Sequence, residues 1–223
     1  MQVHLFGSTG EPPLQKVVDT VFSLLRNHRN PIVLYLPPTF RDEHAELTRQ
    51  KFRDVAEVNT IDLSKVNPSF MKASLEKASF LFIPGGNTYL LNLRLHQSGI
   101  FEEIAKSVKS GLPYLGISAG TLICGENILT TSDINGCGTT YFSGFGLTQY
   151  NFVAHYPDLD NLEREKIDDR ISAYHLFHEN PVIALNDQTY ILISENGLNV
   201  KSGDCWLFRK DNAKVQIKSG GAL

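Results

Sequence analysis

Strand-like and helix-like segments alternate through the first two thirds of the chain, and this alternation restricts the possible folds more than any other feature. The segment 31–37, PIVLYLP, is continuously apolar, as expected for a strand buried on both faces of a sheet. The segment 12–27 before it has the apolar spacing of an amphipathic helix and begins with proline. A repeated strand–helix order predicts an α/β fold, with a mostly parallel sheet and helices on both of its faces.

The other segments first continue this pattern and then change it. We predict strands at 2–6, 31–37, 54–63, 79–86 and 112–117, and helices at 12–27, 41–52, 68–78, 87–99 and 100–111, with another beginning within 118–125. After about residue 180, strand-like segments follow closely on one another, at 181–187, 189–200, 204–210 and 213–218. We expect these strands to be an antiparallel extension of the same sheet. A single domain covering residues 1–223 is predicted, because no linker rich in Pro, Gly or Ser separates a second one.

The composition argues against several functional classes. Of the 223 residues, 42% are hydrophobic and 20% are charged, the net charge is −3, and no Lys/Arg cluster suggests a nucleic-acid partner. The longest apolar runs are too short to cross a bilayer, and the N-terminus lacks a signal-peptide pattern. Cys124, Cys137 and Cys205 are odd in number and lack metal-site spacing. We therefore expect a cytoplasmic protein without a membrane or nucleic-acid partner. We also expect a monomer or a homodimer.

The pentapeptide GISAG, residues 116–120, places Ser118 between a predicted strand and a predicted helix. Gly-x-Ser-x-Gly in this context is the pattern of a nucleophile elbow, where a tight turn forces the serine into unfavourable backbone angles and presents its hydroxyl above the sheet. Glycine two residues to either side avoids clashes with the neighbouring backbone. In the alternative interpretation, Ser118 only caps a helix and the glycines only allow close packing.

A second glycine signal, Gly85-Gly86, ends the preceding strand and is followed by Asn87. Residues without side chains let backbone N–H groups approach a ligand, and Asn87 can cap the next helix. The pair therefore fits one half of an oxyanion hole, although a tight strand-to-helix turn has the same composition. It is not a phosphate-binding loop, because no Gly-Lys-Ser/Thr sequence follows.

His155 is the histidine best placed to act as a base for Ser118, because it lies between an apolar stretch and a polar Pro-Asp loop. On its own, a buried structural histidine is the alternative. His175 and His178 form an i, i+3 pair, but no acidic partner completes a ligand pattern. We therefore predict no metal site.

Three motifs in the correct order, FIPGGNTYLLNL, YLGISAGTLICGENILTTSDI and NFVAHYPD, resemble the dipeptidase E (aspartyl dipeptidase) family of serine peptidases. Cyanophycinase is a more distant relative. The resemblance runs from the first strand to DCWLFRK, residues 204–210, and so covers nearly the whole chain. It implies a fold like that of class I glutamine amidotransferases and hydrolysis of short peptides without a metal or other cofactor.

Carried over by motif, the resemblance implies that Ser118 is the nucleophile and His155 the general base. Asp133 matches an aspartate implicated in catalysis, and Asp187 matches the position of another acidic residue in the family. Either carboxylate could orient His155, because triads are defined by geometry and not by chain order, so the third member stays open between them.

Four further residues complete the expected site. We expect the backbone N–H groups of Gly86 and Ala119 to form the oxyanion hole, and Asn87 and Arg170 to contact the substrate.

The chain also departs from the family pattern in ways that affect the substrate. Leu129 stands where aspartyl dipeptidases have an arginine, and recognition of an aspartyl side chain needs a cation. Val153-Ala154 replaces Asn-Pro, and Ile117 stands where tryptophan is common. Peptide hydrolysis is therefore predicted without strict Asp-X specificity. An amidase, isopeptidase or esterase on the same fold and a non-catalytic binding protein are the alternatives.

Overall fold

A seven-stranded sheet is the centre of the computed structural model, which describes residues 1–8, 13–39, 41–157 and 160–223. In chain order the strands are β1 (Val3–Phe6), β2 (Ile32–Tyr35), β3 (Glu57–Thr60), β4 (Phe80–Ile83), β5 (Tyr114–Ile117), β6 (Asn151–Val153), β7 (Val182–Leu185), β8 (Tyr190–Ser194), β9 (Gly197–Ser202), β10 (Cys205–Phe208) and β11 (Val215–Ile217). The helices are α1 (Pro13–Leu25), α2 (Asp42–Phe52), α3 (Pro68–Lys77), α4 (Thr88–Gln97), α5 (Phe101–Lys109), α6 (Ala119–Leu122) and α7 (Asn161–His175).

The large sheet has the order β3-β2-β4-β5-β1-β8-β9, in which the first five strands are parallel and the last two are antiparallel. Alternate residues of each parallel strand face opposite cores. In β4, Leu81 and Ile83 pack in the cluster that contains α3, α4 and α5, while Phe80 and Phe82 pack with α1 and α2. The predicted α/β fold with helices on both faces is confirmed.

The C-terminal strands do not all extend this sheet, which corrects the sequence interpretation. Strands β8 and β9 do, but β7, β10 and β11 join β6 in a separate four-stranded sheet of order β11-β10-β7-β6. The reason is a second strand–helix–strand unit, since β6 and β7 are parallel and α7 connects them. The sequence interpretation assigned neither β6 nor α7. The predicted helix within 118–125 is also short, with only the four residues of α6.

The small sheet lies between the main core and α7. On one side Ile183 and Leu185 of β7 belong to the main cluster, and on the other Val182 and Ala184 pack with α7. The carboxyl ends of β6 and β7 therefore emerge beside those of β4, β5 and β1, which is where ligands bind in open α/β sheets. Within the described ranges, no helix has both the length and the apolar character of a membrane span.

Candidate active site

Ser118 occupies a strained turn between β5 and α6. Its backbone angles are φ 49° and ψ −107°, in a region that side-chain-bearing residues seldom adopt, and its side chain makes no capping hydrogen bond. A Cβ added to Gly116 would lie 2.3 Å from the carbonyl oxygen of Gly120, and one added to Gly120 would lie 2.0 Å from that of Ile83. Both glycines are therefore required by backbone contact, as in a nucleophile elbow.

Two buried hydroxyls, which the sequence analysis did not single out, fix the elbow from below. The Thr121 hydroxyl contacts the carbonyl oxygens of Phe6 at 2.8 Å and Gly116 at 3.0 Å, and the Tyr114 hydroxyl donates to that of Gly120 at 2.6 Å. Burial raises the pKa of Tyr114 well above its ordinary value, so the phenol remains a hydrogen-bond donor. Their positions were the available signal in the sequence, because Tyr114 lies within the predicted strand 112–117 and Thr121 directly follows the motif.

His155 lies against Ser118 and Asp187. Its Nε2 is 2.9 Å from the Ser118 Oγ, and its Nδ1 is 2.6 Å from Asp187 Oδ1. Since an ionised carboxylate can only accept, Nδ1 carries the proton and Nε2 is left to accept from the Ser118 hydroxyl. The imidazole and carboxylate are half-exposed, at 51% and 57%. His155 itself has a positive φ of 60°, a second strained residue in the site.

The register of the small sheet explains why Asp187 meets His155. Strands β6 and β7 are parallel, with Val153 opposite Ala184, so the residues that follow the two strands leave the sheet at the same edge. Of the two aspartates that the sequence left open, the structure brings Asp187 to the imidazole.

Asp133, the other candidate of the sequence analysis, lies elsewhere. Its Oδ2 accepts a hydrogen bond of 2.6 Å from the backbone N–H of Thr88, at the start of α4. A carboxylate is stabilised there because the first N–H groups of a helix lack partners within the helix. In this structure the carboxylate in contact with His155 is that of Asp187, and a role of Asp133 in orienting the imidazole stays a prediction. Asp133 lines a small pocket of about 190 Å³ beside Ser118, together with Thr88, Thr131 and others.

Both residues expected in the oxyanion hole lie near Ser118, since Gly86 lines pockets together with it and Ala119 follows it in the chain. Gly86 has a φ of 143°, and an added Cβ would lie 2.5 Å from Pro38, so this position requires glycine. It lines both pockets that open at Ser118. Ala119 is the first residue of α6, where a backbone N–H has no partner within the helix.

The two residues expected to bind the substrate line neither of these pockets. Asn87 caps α4, since its Oδ1 accepts from Leu90 N at 2.9 Å and its Nδ2 donates to Ile134 O at 3.0 Å. Arg170 lies in α7, where burial lowers its pKa, and its Nε and Nη2 have no hydrogen-bond partner among the described residues. Substrate contact by either residue stays a prediction.

The second pocket at Ser118 is larger, about 510 Å³, and is lined mainly by apolar residues between the sheet, α1 and α2. Its volume falls in the range of about 300–1,000 Å³ typical of small-molecule sites. The His175/His178 pair is engaged otherwise, as His175 Nε2 contacts Asn180 O at 3.1 Å and His178 stacks on Tyr174. Within the described ranges, no group of three or more His, Cys, Asp or Glu residues could hold a metal ion.

Comparison with known proteins identifies the family and the fold. The sequence profile of Peptidase family S51 matches residues 4–201 of the chain. A Peptidase E from Streptomyces coelicolor is 31% identical over 156 residues, 68% of this chain, and the chain spans 64% of that protein's length. A Peptidase E from Shewanella denitrificans is 25% identical over 224 residues, 95% of this chain and 92% of that protein. The crystal structure of a peptidase from an acI-B1 Actinobacterium matches with a TM-score of 0.66 at 17% identity, covering 100% of this chain and 96% of that one, and so shares the fold.

Proposed function

Because the chain belongs to peptidase family S51, we propose that it is a serine-type peptidase that hydrolyses short peptides through an acyl-enzyme. The main support for this proposal is the arrangement of three side chains at the carboxyl ends of the strands. The Ser118 hydroxyl, the His155 imidazole and the Asp187 carboxylate are joined by hydrogen bonds of 2.9 and 2.6 Å. This is the geometry of nucleophile, general base and orienting acid.

In the proposed reaction, His155 Nε2 takes the hydroxyl proton of Ser118 as Oγ attacks the carbonyl carbon of the scissile bond. Asp187 holds the Nδ1–H and stabilises the imidazolium that forms. His155 then gives the proton to the leaving amine as the C–N bond breaks, which leaves an ester on Ser118. Water, deprotonated by the same imidazole, hydrolyses this ester and restores the serine.

The negative charge on the carbonyl oxygen during each attack requires donors fixed in advance. We assign this role to the backbone N–H groups of Gly86, which lines both pockets at Ser118, and of Ala119, which follows Ser118 at the start of α6. Loss of one such donor in comparable sites raises the barrier by about 3–4 kcal/mol.

The charge of the smaller pocket supports a substrate with a free N-terminus. Asp133 Oδ2 is bound to Thr88 N, whereas its Oδ1 has no hydrogen-bond partner among the described residues. A carboxylate with a free oxygen, in a pocket of about 190 Å³ beside the nucleophile, fits the α-ammonium group of a single N-terminal residue. This arrangement favours peptides with a free N-terminus over N-blocked peptides.

Selectivity for an N-terminal aspartate is not part of the proposal. Leu129, which stands where aspartyl dipeptidases have an arginine, packs on the apolar cluster of the small sheet and α7. Arg170 lines neither pocket at Ser118. A panel of dipeptides with acidic, neutral and basic N-terminal residues, with β-aspartyl and ester substrates beside them, measures the preference directly.

Replacement of the nucleophile tests the proposal. Ser118→Ala is expected to fold normally and to lose about 10⁶-fold in kcat, as when the serine of a comparable triad is removed. Ser132→Ala is the matched control, because Ser132 also lines the smaller pocket, whereas the hydrogen-bond partners of the His155 imidazole are Ser118 and Asp187. The wild type should also react with a fluorophosphonate, and Ser118→Ala should not. Turnover that survives in Ser118→Ala would refute the mechanism.

A further inference from the structure

The larger pocket at Ser118 has a marked apolar wall that the proposed chemistry does not use. Buried aromatic side chains from both adjacent strands and α2 form it, and Ile117 closes it next to the nucleophile; the aromatic residues are Tyr35, Phe52 and Phe82. These rings are fixed by the core, since Tyr35 and Phe52 both pack against Phe82. An apolar, largely preformed surface of this kind binds an apolar side chain.

One cation lies on the wall of this pocket. Thr48 and Lys51 are three residues apart on α2, so they share one helix face, and both line the pocket. Thr48 forms a side-chain hydrogen bond with Tyr35, which ties that face to the sheet. Lys51 is exposed and makes no ion pair with a described residue, whereas the nearby Arg49 is paired with Glu46. The Lys51 ammonium group is therefore available to an anion in the pocket.

The two pockets have opposite chemistry and meet at the same three residues, Gly86, Ser118 and His155. The smaller is polar and contains the Asp133 carboxylate, and the larger is apolar and contains the Lys51 ammonium. A dipeptide has the same polarity, with an ammonium group at one end and a carboxylate at the other.

We propose that the larger pocket binds the C-terminal residue of the dipeptide, that this residue is bulky and apolar or aromatic, and that Lys51 pairs with its carboxylate. This inference rests on the proposed function, because it assumes that the bond attacked by Ser118 lies between the two pockets. The leaving group is then a free amino acid such as phenylalanine or leucine. A C-terminal amide lacks the charge that Lys51 recognises.

The kinetic test compares Ala-Phe and Asp-Phe with their C-terminal amides and with Ala-Gly. For the wild type, amidation should lower kcat/KM about fivefold, the effect of a partly exposed ion pair, and Ala-Gly should be about tenfold poorer than Ala-Phe. In Lys51→Met the difference between acid and amide should disappear. It should remain in Lys51→Arg, which keeps the charge, and in Lys72→Met, which removes an exposed lysine from α3. Equal wild-type rates for acid and amide, or a preference that persists in Lys51→Met, would overturn the inference.

A binding experiment separates this inference from the proposed reaction. Saturation-transfer NMR on Ser118→Ala should detect L-phenylalanine more strongly than L-phenylalaninamide, and Lys51→Met in the same background should remove the difference. If the wild type hydrolyses no peptide but this binding pattern is found, the proposed peptidase reaction is refuted and the proposed carboxylate site at Lys51 is supported. If peptides are hydrolysed but L-phenylalanine and its amide bind alike, the reaction stands and the carboxylate site is overturned.

Discussion

The two sheets contribute to the site in different ways. The seven-stranded sheet presents Ser118 from a turn packed so tightly that one added carbon at Gly120 would lie 2.0 Å from another strand's backbone. The four-stranded sheet presents His155 and Asp187 from loops in which both side chains are half-exposed. The nucleophile is therefore held by steric contact, and its two partners are held mainly by hydrogen bonds to each other and to the nucleophile.

This difference has a chemical consequence. A nucleophile must be fixed relative to the oxyanion donors, and a turn held by close backbone contacts and by the buried Tyr114 and Thr121 hydroxyls does this. An imidazole that alternately accepts and donates a proton has to serve both Ser118 and the leaving group, so its orientation depends on the carboxylate behind it. Removal of the Asp187 carboxylate should therefore disturb the orientation of His155 more than a change in the packing around the two residues would.

Asp187→Asn is the substitution with the largest expected effect on the His155–Asp187 pair. The amide can donate to Nδ1, which favours the wrong imidazole tautomer and leaves Nε2 protonated, so kcat should fall about 10⁴-fold. Asp133→Asn is the matched comparison. It leaves the contact between His155 and Asp187 intact, and we expect kcat/KM for unblocked dipeptides to fall about 10- to 100-fold through weaker ammonium binding.

The rate of labelling by a neutral fluorophosphonate distinguishes the two aspartates without a peptide. It should drop sharply in Asp187→Asn and stay near that of the wild type in Asp133→Asn, because the reagent has no ammonium group. The reverse ranking would assign the orienting role to Asp133 and contradict the observed geometry.

The first region is tested by adding one methyl group to the elbow. In Gly120→Ala the new Cβ would meet the Ile83 carbonyl oxygen, so either the strand or the elbow must shift, and the free energy of unfolding should fall by more than about 3 kcal/mol. Gly136→Ala is the control, since an added Cβ there meets nothing within 4 Å. Its stability should stay within about 0.5 kcal/mol of the wild type in a denaturant titration. A Gly120→Ala protein as stable as the control would mean that the elbow is not held by contact.

The same contrast explains which parts of the molecule could be predicted from the sequence. Steric constraints are visible in the sequence, because only glycine fits at positions 116 and 120. The elbow and the parallel strands around it could therefore be recognised. The sequence pattern of the small sheet and its helix is weaker. Strand β6 has only three residues, and α7 turns few apolar residues inward, chiefly Ile167, Ile171 and Tyr174, so neither element was assigned.

The missing element also accounts for the open choice between the two aspartates. Without β6 there was no parallel pair to bring the ends of residues 151–153 and 182–185 together, and sequence distance alone could not rank Asp133 against Asp187. The hydroxyls of Tyr114 and Thr121 were missed for a different reason, as their acceptors are backbone carbonyls that only the folded turn brings near.

Acid provides a last test, of the histidine that is buried in the large sheet. His4 lies in β1, only 5% exposed, with Nδ1 2.8 Å from the Tyr190 hydroxyl, and burial lowers its pKa to about 4, from an ordinary value of about 6.5. The folded chain thus keeps His4 neutral down to about pH 4, while the unfolded chain takes up a proton below about pH 6.5. The stability that neutral His4 contributes is complete above that range and is lost as the pH falls through it, by about 2 kcal/mol between about pH 7 and about pH 4.5. Denaturant titrations should show this slope in the wild type and in His28→Gln, an exposed control, and a shallower one in His4→Gln. An unchanged slope in His4→Gln would show that the acid sensitivity does not arise from His4.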